Sequence, residues 1–563
     1  MSTIQFDAIV VGSGVSGGWA AKELTEKGLK VLMLDRGRMV EHGKDYKGEH
    51  TPPWEVPFGG KPLRDLYEED YPVQSTQYAF NEKTRHFYNN DKQNPYVDQG
   101  EDFVWYRAGV VGGKSLLWGR QVYRWSDLDF EANKKDGHGV DWPIRYKDIA
   151  PWYSHVEKFI GVSGQAENLP HLPDGEFLPP LQMNVMEKAI KARLEQNYDD
   201  RILTMGRVAV LTQPHNGRAA CHYCGPCQQG CTAGAYFSTQ SSTLPAARAT
   251  GNLTLISDSV VEGVDYDPET KRASGVRVID ANTLKRTTYT GKLVFLCAST
   301  VGSTQILMNS RSEHFPNGLA NRSGALGHYL MDHTYRAGAQ GIFPGEFEDK
   351  VVYGNRPSGI YIPRFRNVKD NDDVDFVRGY NYQGRASRLD GIGNAVNTPG
   401  FGADYKHSLR KPGPWRMRIS GFGECLPDKN NRMELIESQK DRYGIPQIKF
   451  HFAWGENEMK IRRDLVEQGV EMLKTAGAVN VEGFDENAKG GMCIHEMGTA
   501  RMGHDPETSV LNRWNQAHDV PNLFVTDGAS MTSASCVNPS LTFMALTARA
   551  VDYAVKQLKA GNI

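Results

Sequence analysis

No run in these 563 residues approaches the ~20 consecutive apolar positions that a membrane span requires, and the mean hydropathy is −0.52. A charge excess is missing too. Sixty-five Lys and Arg against 67 Asp and Glu leave a formal net charge of −2, which removes the basic footprint of a general nucleic-acid binder. Cysteine is scarce: eight in the whole chain cannot make a disulfide scaffold, and four of them fall within eleven residues. The N-terminal residues have no basic lead, no apolar stretch before a small-residue cleavage site and no twin arginine. The expectation is a chain with no export signal of its own, placed in the cytoplasm. Charged residues at 23% and hydrophobic ones at 39% exclude a disordered chain.

What is present is length and glycine. The chain is several times the ~150 residues of one domain, so two or more units are expected, and its 58 glycines suit many close backbone approaches. Residues 8–11 read as a buried strand, followed by a glycine turn, an alanine-containing helix and a second apolar run at 31–34. Residues 40–100 are rich in Tyr, Pro, Glu, Asp and Asn without a sustained period, as in a covering lobe. Helices are expected over 186–196, 458–476 and 541–558. Strands alternate with charged turns over 253–296, and 338–423 carries scattered β patterns suited to a mixed sheet.

The first βαβ unit carries chemistry. Gly12-Ser13-Gly14-Val15-Ser16-Gly17 is a G-x-G-x-x-G between strand and helix. Gly12 permits the tight turn, Gly14 lets a pyrophosphate approach the backbone, and Gly17 lets the helix pack on the strand. The helix N-terminus offers free N–H groups to phosphate. Asp35, followed by Arg36, ends the second strand where an acid would hold a ribose hydroxyl. The motif fits FAD and NAD alike.

A second constellation is Cys221-x₂-Cys224-x₂-Cys227-x₃-Cys231, wrapped in turn-forming residues. The spacing is that of the bacterial ferredoxin run, with Thr232 in place of the following proline. Three thiolates suffice for [3Fe–4S] and four permit [4Fe–4S]. A structural zinc and disulfides or free thiols are the alternatives. Cys297, Cys425, Cys493 and Cys536 read as ordinary buried cysteines.

Three further segments carry a family resemblance. Val110-Val111-Gly112-Gly113-Lys114-Ser115-Leu116-Leu117-Trp118 resembles the flavin-contacting loop of the glucose–methanol–choline (GMC) oxidoreductases. Gly327-His328-Tyr329-Leu330-Met331-Asp332-His333 is similar to another of their recurrent segments. His495-Glu496-Met497-Gly498-Thr499-Ala500-Arg501-Met502-Gly503, with Asp527-Gly528 and Asn538-Pro539-Ser540-Leu541-Thr542, resembles their C-terminal catalytic block. The nearest likeness is to the pyranose oxidase and sugar dehydrogenase branch, and within it to bacterial glucoside 3-dehydrogenases.

The resemblance implies an α/β chain with mixed α+β character. A Rossmann FAD-binding domain of GMC type would take residues 1–45, 100–130, 215–330 and 490–563, with a cysteine-rich insertion at 218–235. A mixed-sheet substrate-binding domain with covering loops would take 46–99, 131–214 and 331–489. Gly112, Gly113, Ser115, Leu116 and Leu117 would run along the pyrophosphate and flavin. Val260 and Val261 would lie near the adenine, Ala298 and Ser299 beside the ADP part, and Asp527 and Gly528 at the cofactor's middle. Pro539 and Ser540 would face the flavin's pyrimidine edge. Some relatives attach flavin to a histidine where this chain has Leu117, so FAD is expected to be non-covalent.

Alcohol oxidation by flavin needs N5 as hydride acceptor and a group that takes the hydroxyl proton. Neutral histidine suits the second task. His495 is the candidate base, and Asn538 would orient the hydroxyl. In the polar–aromatic run 380–383, Tyr382 and Gln383 are candidate substrate contacts. The resemblance implies oxidation of a pyranose or glycoside hydroxyl, C3 in particular; an iron–sulfur cluster on the cysteine motif would carry the electrons out to a small subunit or cytochrome acceptor. A signal-bearing partner would carry the chain to the periplasm. A pyranose oxidase using O₂, a gluconate or other polyol dehydrogenase, a lyase with structural flavin and a non-catalytic electron-transfer subunit are the alternatives. The His–Asn pair disfavours the last two.

Overall fold

The computed structural model describes residues 5–61, 63–369, 373–389 and 399–563. Two sheets frame the molecule. The first is built on the apolar runs of the opening βαβ unit. Strands Leu253–Ile256, Val31–Leu34, Gln5–Val11 and Arg286–Leu296 lie side by side and parallel. The first half of the long strand Arg286–Leu296 pairs antiparallel with Arg272–Asp280, which pairs in turn with Ser259–Asp267. Its second half pairs with Leu523–Val525, so the C-terminal part of the chain returns to the sheet started at the N-terminus. Every residue of Val31–Leu34 is buried, as expected of a parallel strand covered on both faces. Helix Val15–Glu26 follows the glycine turn and packs against the last helix, Ser540–Lys559.

The second sheet is antiparallel, in the order Val479–Asp485, Thr334–Phe343, Trp415–Gly423, Tyr380–Arg388, Ile360–Ile362, Thr204–Met205. Helix Glu456–Thr475 covers one of its faces. Glycine makes that close approach possible: a Cβ on Gly421 would run into the Leu465 side chain. The other face carries Tyr335, Gln383, Ser420 and Phe422 toward a cavity shared with the first sheet. The described residues between 40 and 100 form short helices and turns and contribute no strand to either sheet.

The expected helices are Val185–Asn197, Glu456–Thr475 and Ser540–Lys559. One expectation needs correction. Tyr382 is fully buried in the second hydrophobic core, and its hydroxyl donates to the Leu465 carbonyl at 2.5 Å. Side chains alternate across a strand, so the parity that turns Gln383 into the cavity turns Tyr380 and Tyr382 under the helix. Residues 390–398, part of the stretch 338–423 expected to supply a mixed sheet, lie outside the described residues.

Candidate active site

The cavity between the sheets has a volume of about 610 Å³, the size of a small-molecule or cofactor site. Its floor is the glycine turn. Gly12 has φ +95°, and a Cβ there would collide with the Cys297 carbonyl. A Cβ on Gly17 would meet the Gly12 carbonyl, so helix and strand touch at that point. Gly14 differs: a Cβ there would meet nothing within 4 Å, because the residue borders the open cavity. The Ser16 hydroxyl beside it is buried and has no partner among the described residues. Asp35 accepts from the backbone N–H groups of Ser13 and Gly37, at 3.0 and 2.7 Å, and from the Ser13 hydroxyl. Burial raises its pKa.

Most of the residues expected at a cofactor converge here. Gly12, Gly14, Asp35, Arg36, Gly113, Ser115 and Leu117 line the cavity, as do Val260, Val261, Ala298, Ser299, Asp527, Gly528 and Ser540. Gly17, Gly112, Leu116 and Pro539 stand one layer behind the wall. The Gly112 N–H donates to the Ser13 hydroxyl at 2.7 Å, tying the second loop to the glycine turn. Leu116 is buried with Val40, Tyr46 and Phe87. Pro539 precedes the first turn of the last helix.

His495 and Asn538, 43 positions apart, meet on the cavity wall with Asn538 Nδ2 at 3.3 Å from His495 Nε2. Their partners fix the direction of every hydrogen bond. The Gln383 amide donates to Asn538 Oδ1 at 2.6 Å, so Asn538 turns its NH₂ to His495. His333 Nε2 lies 3.3 Å from the Ala534 carbonyl and can only donate to it. His333 Nδ1 is then a bare lone pair, 2.9 Å from His495 Nδ1. His495 must therefore carry its proton on Nδ1 and leave Nε2 unprotonated toward the cavity. Cys493 Sγ adds a contact to Nδ1 at 3.2 Å, so this cysteine is not the ordinary core residue its sequence context implies.

Asp332 holds the loop by accepting the backbone N–H groups of Cys493 and His495 at 3.1 and 3.0 Å. Burial, with Glu496 nearby, pushes its pKa up to about 7. Burial pulls His333 down to about 4. His495 is lowered well below the usual imidazole value, first by burial and then by His333 and Lys114. Lys114 bonds both oxygens of Glu496 at 2.9 and 2.8 Å, joining the loop at 110–118 to the segment that carries His495. The sequence did not signal His333 as a partner of the base. Its place in the motif ending Asp332-His333 was the only clue.

A family model described as GMC oxidoreductase matches residues 6–335, and a second with the same description matches 427–547. The chain belongs to the GMC oxidoreductase family. This oxidoreductase is 28% identical to 2-methyl-1,2-propanediol dehydrogenase of Mycolicibacterium austroafricanum, over 98% of this chain and 95% of the relative. It is 25% identical to the fructose dehydrogenase large subunit of Gluconobacter japonicus, over 99% of both. Its fold matches formate oxidase of Aspergillus oryzae with a TM-score of 0.61 at 13% identity, covering 99% of each chain. GMC oxidoreductases bind FAD, and the residues here fit it. The open approach at Gly14, the unpartnered Ser16 hydroxyl and the row of backbone at 113–115 are what a dinucleotide needs. No described helix is long and apolar enough to cross a membrane.

The four clustered cysteines of this oxidoreductase line a second cavity of about 310 Å³. All eight cysteines are free thiols, so the disulfide alternative is set aside. Gly225 and Gly230 have φ of +103° and +113°, which bends the loop around the cavity. The Tyr223 N–H donates to Cys221 Sγ at 3.4 Å. Among the described residues, the only set of three metal-capable side chains with ligand atoms within 4.8 Å of one another is His333, Cys493 and His495. The clustered thiols are therefore spread wider. A single zinc with Zn–S ~2.3 Å would draw its four sulfurs to ~4 Å apart. A polynuclear cluster, with thiolates on different irons, holds them further apart.

Proposed function

We propose that this GMC oxidoreductase is an FAD-dependent dehydrogenase of pyranose or glycoside hydroxyls, with C3 as the position oxidised. The carrying observation is the one-way hydrogen-bond chain Gln383, Asn538, His495, His333, Ala534 carbonyl, which leaves His495 Nε2 unprotonated on the cavity wall, its lone pair accepting from Asn538. In this reading His495 takes the substrate hydroxyl proton at Nε2. Asn538 orients the hydroxyl, and Gln383 holds Asn538 and borders the sugar. Non-covalent FAD bound along Gly12–Gly17, Asp35, Arg36, 112–117, Val260, Val261, Ala298, Ser299, Asp527, Gly528, Pro539 and Ser540 supplies the hydride acceptor. The positive end of the last helix at Ser540 favours negative charge there.

Cys221, Cys224, Cys227 and Cys231 would hold an iron–sulfur cluster, which supplies one-electron transfer out of the enzyme. The two cavities share a wall at Pro357, and Gln228, inside the cysteine motif, borders the FAD cavity. That proximity supports a dehydrogenase over an oxidase. The matched fructose dehydrogenase chain is by name a large subunit, which supports a small subunit or cytochrome as acceptor. The cofactors would be inserted in the cytoplasm, and periplasmic work would follow co-export with a signal-bearing partner. The diol named for one relative keeps a polyol dehydrogenase as the second reading. Assay of anaerobically purified protein for iron and acid-labile sulfide, together with peroxide yield during turnover, decides the electron route. Bound iron and little peroxide are expected. Absence of iron with stoichiometric peroxide would make it an oxidase.

A further inference from the structure

Between the two cavities stands an arginine without a carboxylate. Arg120 is fully buried. Its guanidinium donates to the carbonyls of Ser115 and Leu116 at 3.2 and 3.3 Å and to that of Trp118, and its Nε has no partner. None of its ion-pair or hydrogen-bond contacts among the described residues is to an Asp or Glu. It lies against the ring of Tyr236, which lines the cysteine cavity, while Arg120 itself lines the FAD cavity. Cys227 and Cys231 are its electrostatic neighbours. Arg218 repeats the pattern: it is buried beside Cys231 and bonded to the carbonyls of Gly234 and Ile160.

A buried guanidinium whose hydrogen bonds all go to neutral carbonyl oxygens is costly, and proteins keep such charges where an opposite charge compensates them. Among the described residues, the acidic groups facing it are the thiols of Cys227 and Cys231 and the phenols of Tyr46 and Tyr78, and the thiols are the ones that metal binding makes anionic near neutral pH. We propose that Arg120 is the counter-charge of an anionic metal–thiolate cluster held by the four clustered cysteines, and that it stabilises the reduced cluster on the side facing the FAD cavity. The inference rests on the iron–sulfur reading above and adds a residue to it. A fixed positive charge favours the form carrying one more electron, so it raises the reduction potential. Its hydrogen bonds to residues 115, 116 and 118 make Arg120 a physical link between the flavin loop and the cluster.

The test is an EPR-monitored redox titration of the holoenzyme, with iron and FAD contents measured on the same samples. Arg120→Gln removes the charge and keeps a donor. Tyr236→Phe perturbs the same wall without changing charge. The expected result is a cluster midpoint lowered in Arg120→Gln by about a tenfold change in the reduction equilibrium, which is ~59 mV for one electron, and unmoved in Tyr236→Phe. Loss of iron from Arg120→Gln alone, with FAD retained, supports the same role. An unchanged midpoint in Arg120→Gln, or equal shifts or equal iron loss in both variants, overturns it. Wild-type protein purified without iron would instead refute the cluster reading, and the Arg120 assignment would fall with it.

Discussion

Asn538 and His333 divide the imidazole of His495 between them, and that division sets what the residue can do. Replacing His495 with Ala should leave FAD bound and slow flavin reduction by saturating substrate by ~10²–10⁴-fold. Stopped-flow absorbance reads this directly. His333→Leu removes the acceptor that holds the Nδ1–H tautomer. It should slow the same step by ~10–10³-fold with little change in KM, while His333→Asn, which can still accept, should recover part of it. Because burial holds His495 well below the usual imidazole range, the acid limb of the flavin-reduction profile should fall below pH 6.5.

His333, held at about 4 in the fold, binds fewer protons folded than unfolded between that value and ~6.5. Its depressed pKa therefore favours folding above pH ~6.5, and the advantage is lost as pH falls toward 4, amounting to about 3 kcal/mol. Thermal midpoints measured across that window should fall with pH, and less steeply in His333→Asn.

At the scale of elements, strand Tyr380–Arg388 offers a contrast of neighbours. Tyr382→Phe should cost about 1 kcal/mol of stability by leaving the Leu465 carbonyl without its hydroxyl donor, with unchanged substrate KM. Gln383→Leu should instead lower kcat/KM by releasing Asn538. Denaturant titration and steady-state kinetics separate the two. This strand also marks what the sequence can convey. The turn Gly12 to Gly17 is legible because each glycine meets a demand set by its immediate neighbours. Parity in the polar–aromatic run 380–383 is not, because either face could be apolar until the helix Glu456–Thr475 is placed over Gly421. The partnership of His333 with His495 spans 162 positions, and Arg120 belongs to no motif, so neither could be read from spacing.

For the whole molecule, the chain passes from the first sheet to the second and back twice, and this closes the cavity between them. That return places Asp527 and Asn538 opposite the glycine turn. The cysteine loop sits behind the same wall, so flavin and cluster chemistry would be neighbours within one chain. Acid precipitation should release the FAD into the supernatant, since Leu117 offers no atom for a covalent flavin bond; flavin retained on the denatured chain would contradict that. Sugar oxidation at this cavity is decided by mixing the purified holoenzyme anaerobically with a panel of glucose, glucosides and simple diols while following flavin absorbance. Rapid bleaching by a pyranose or glycoside is expected, with the 3-keto sugar as product. Flavin that stays oxidised with every sugar would contradict it, and bleaching by the diols alone would hand the site to polyol oxidation.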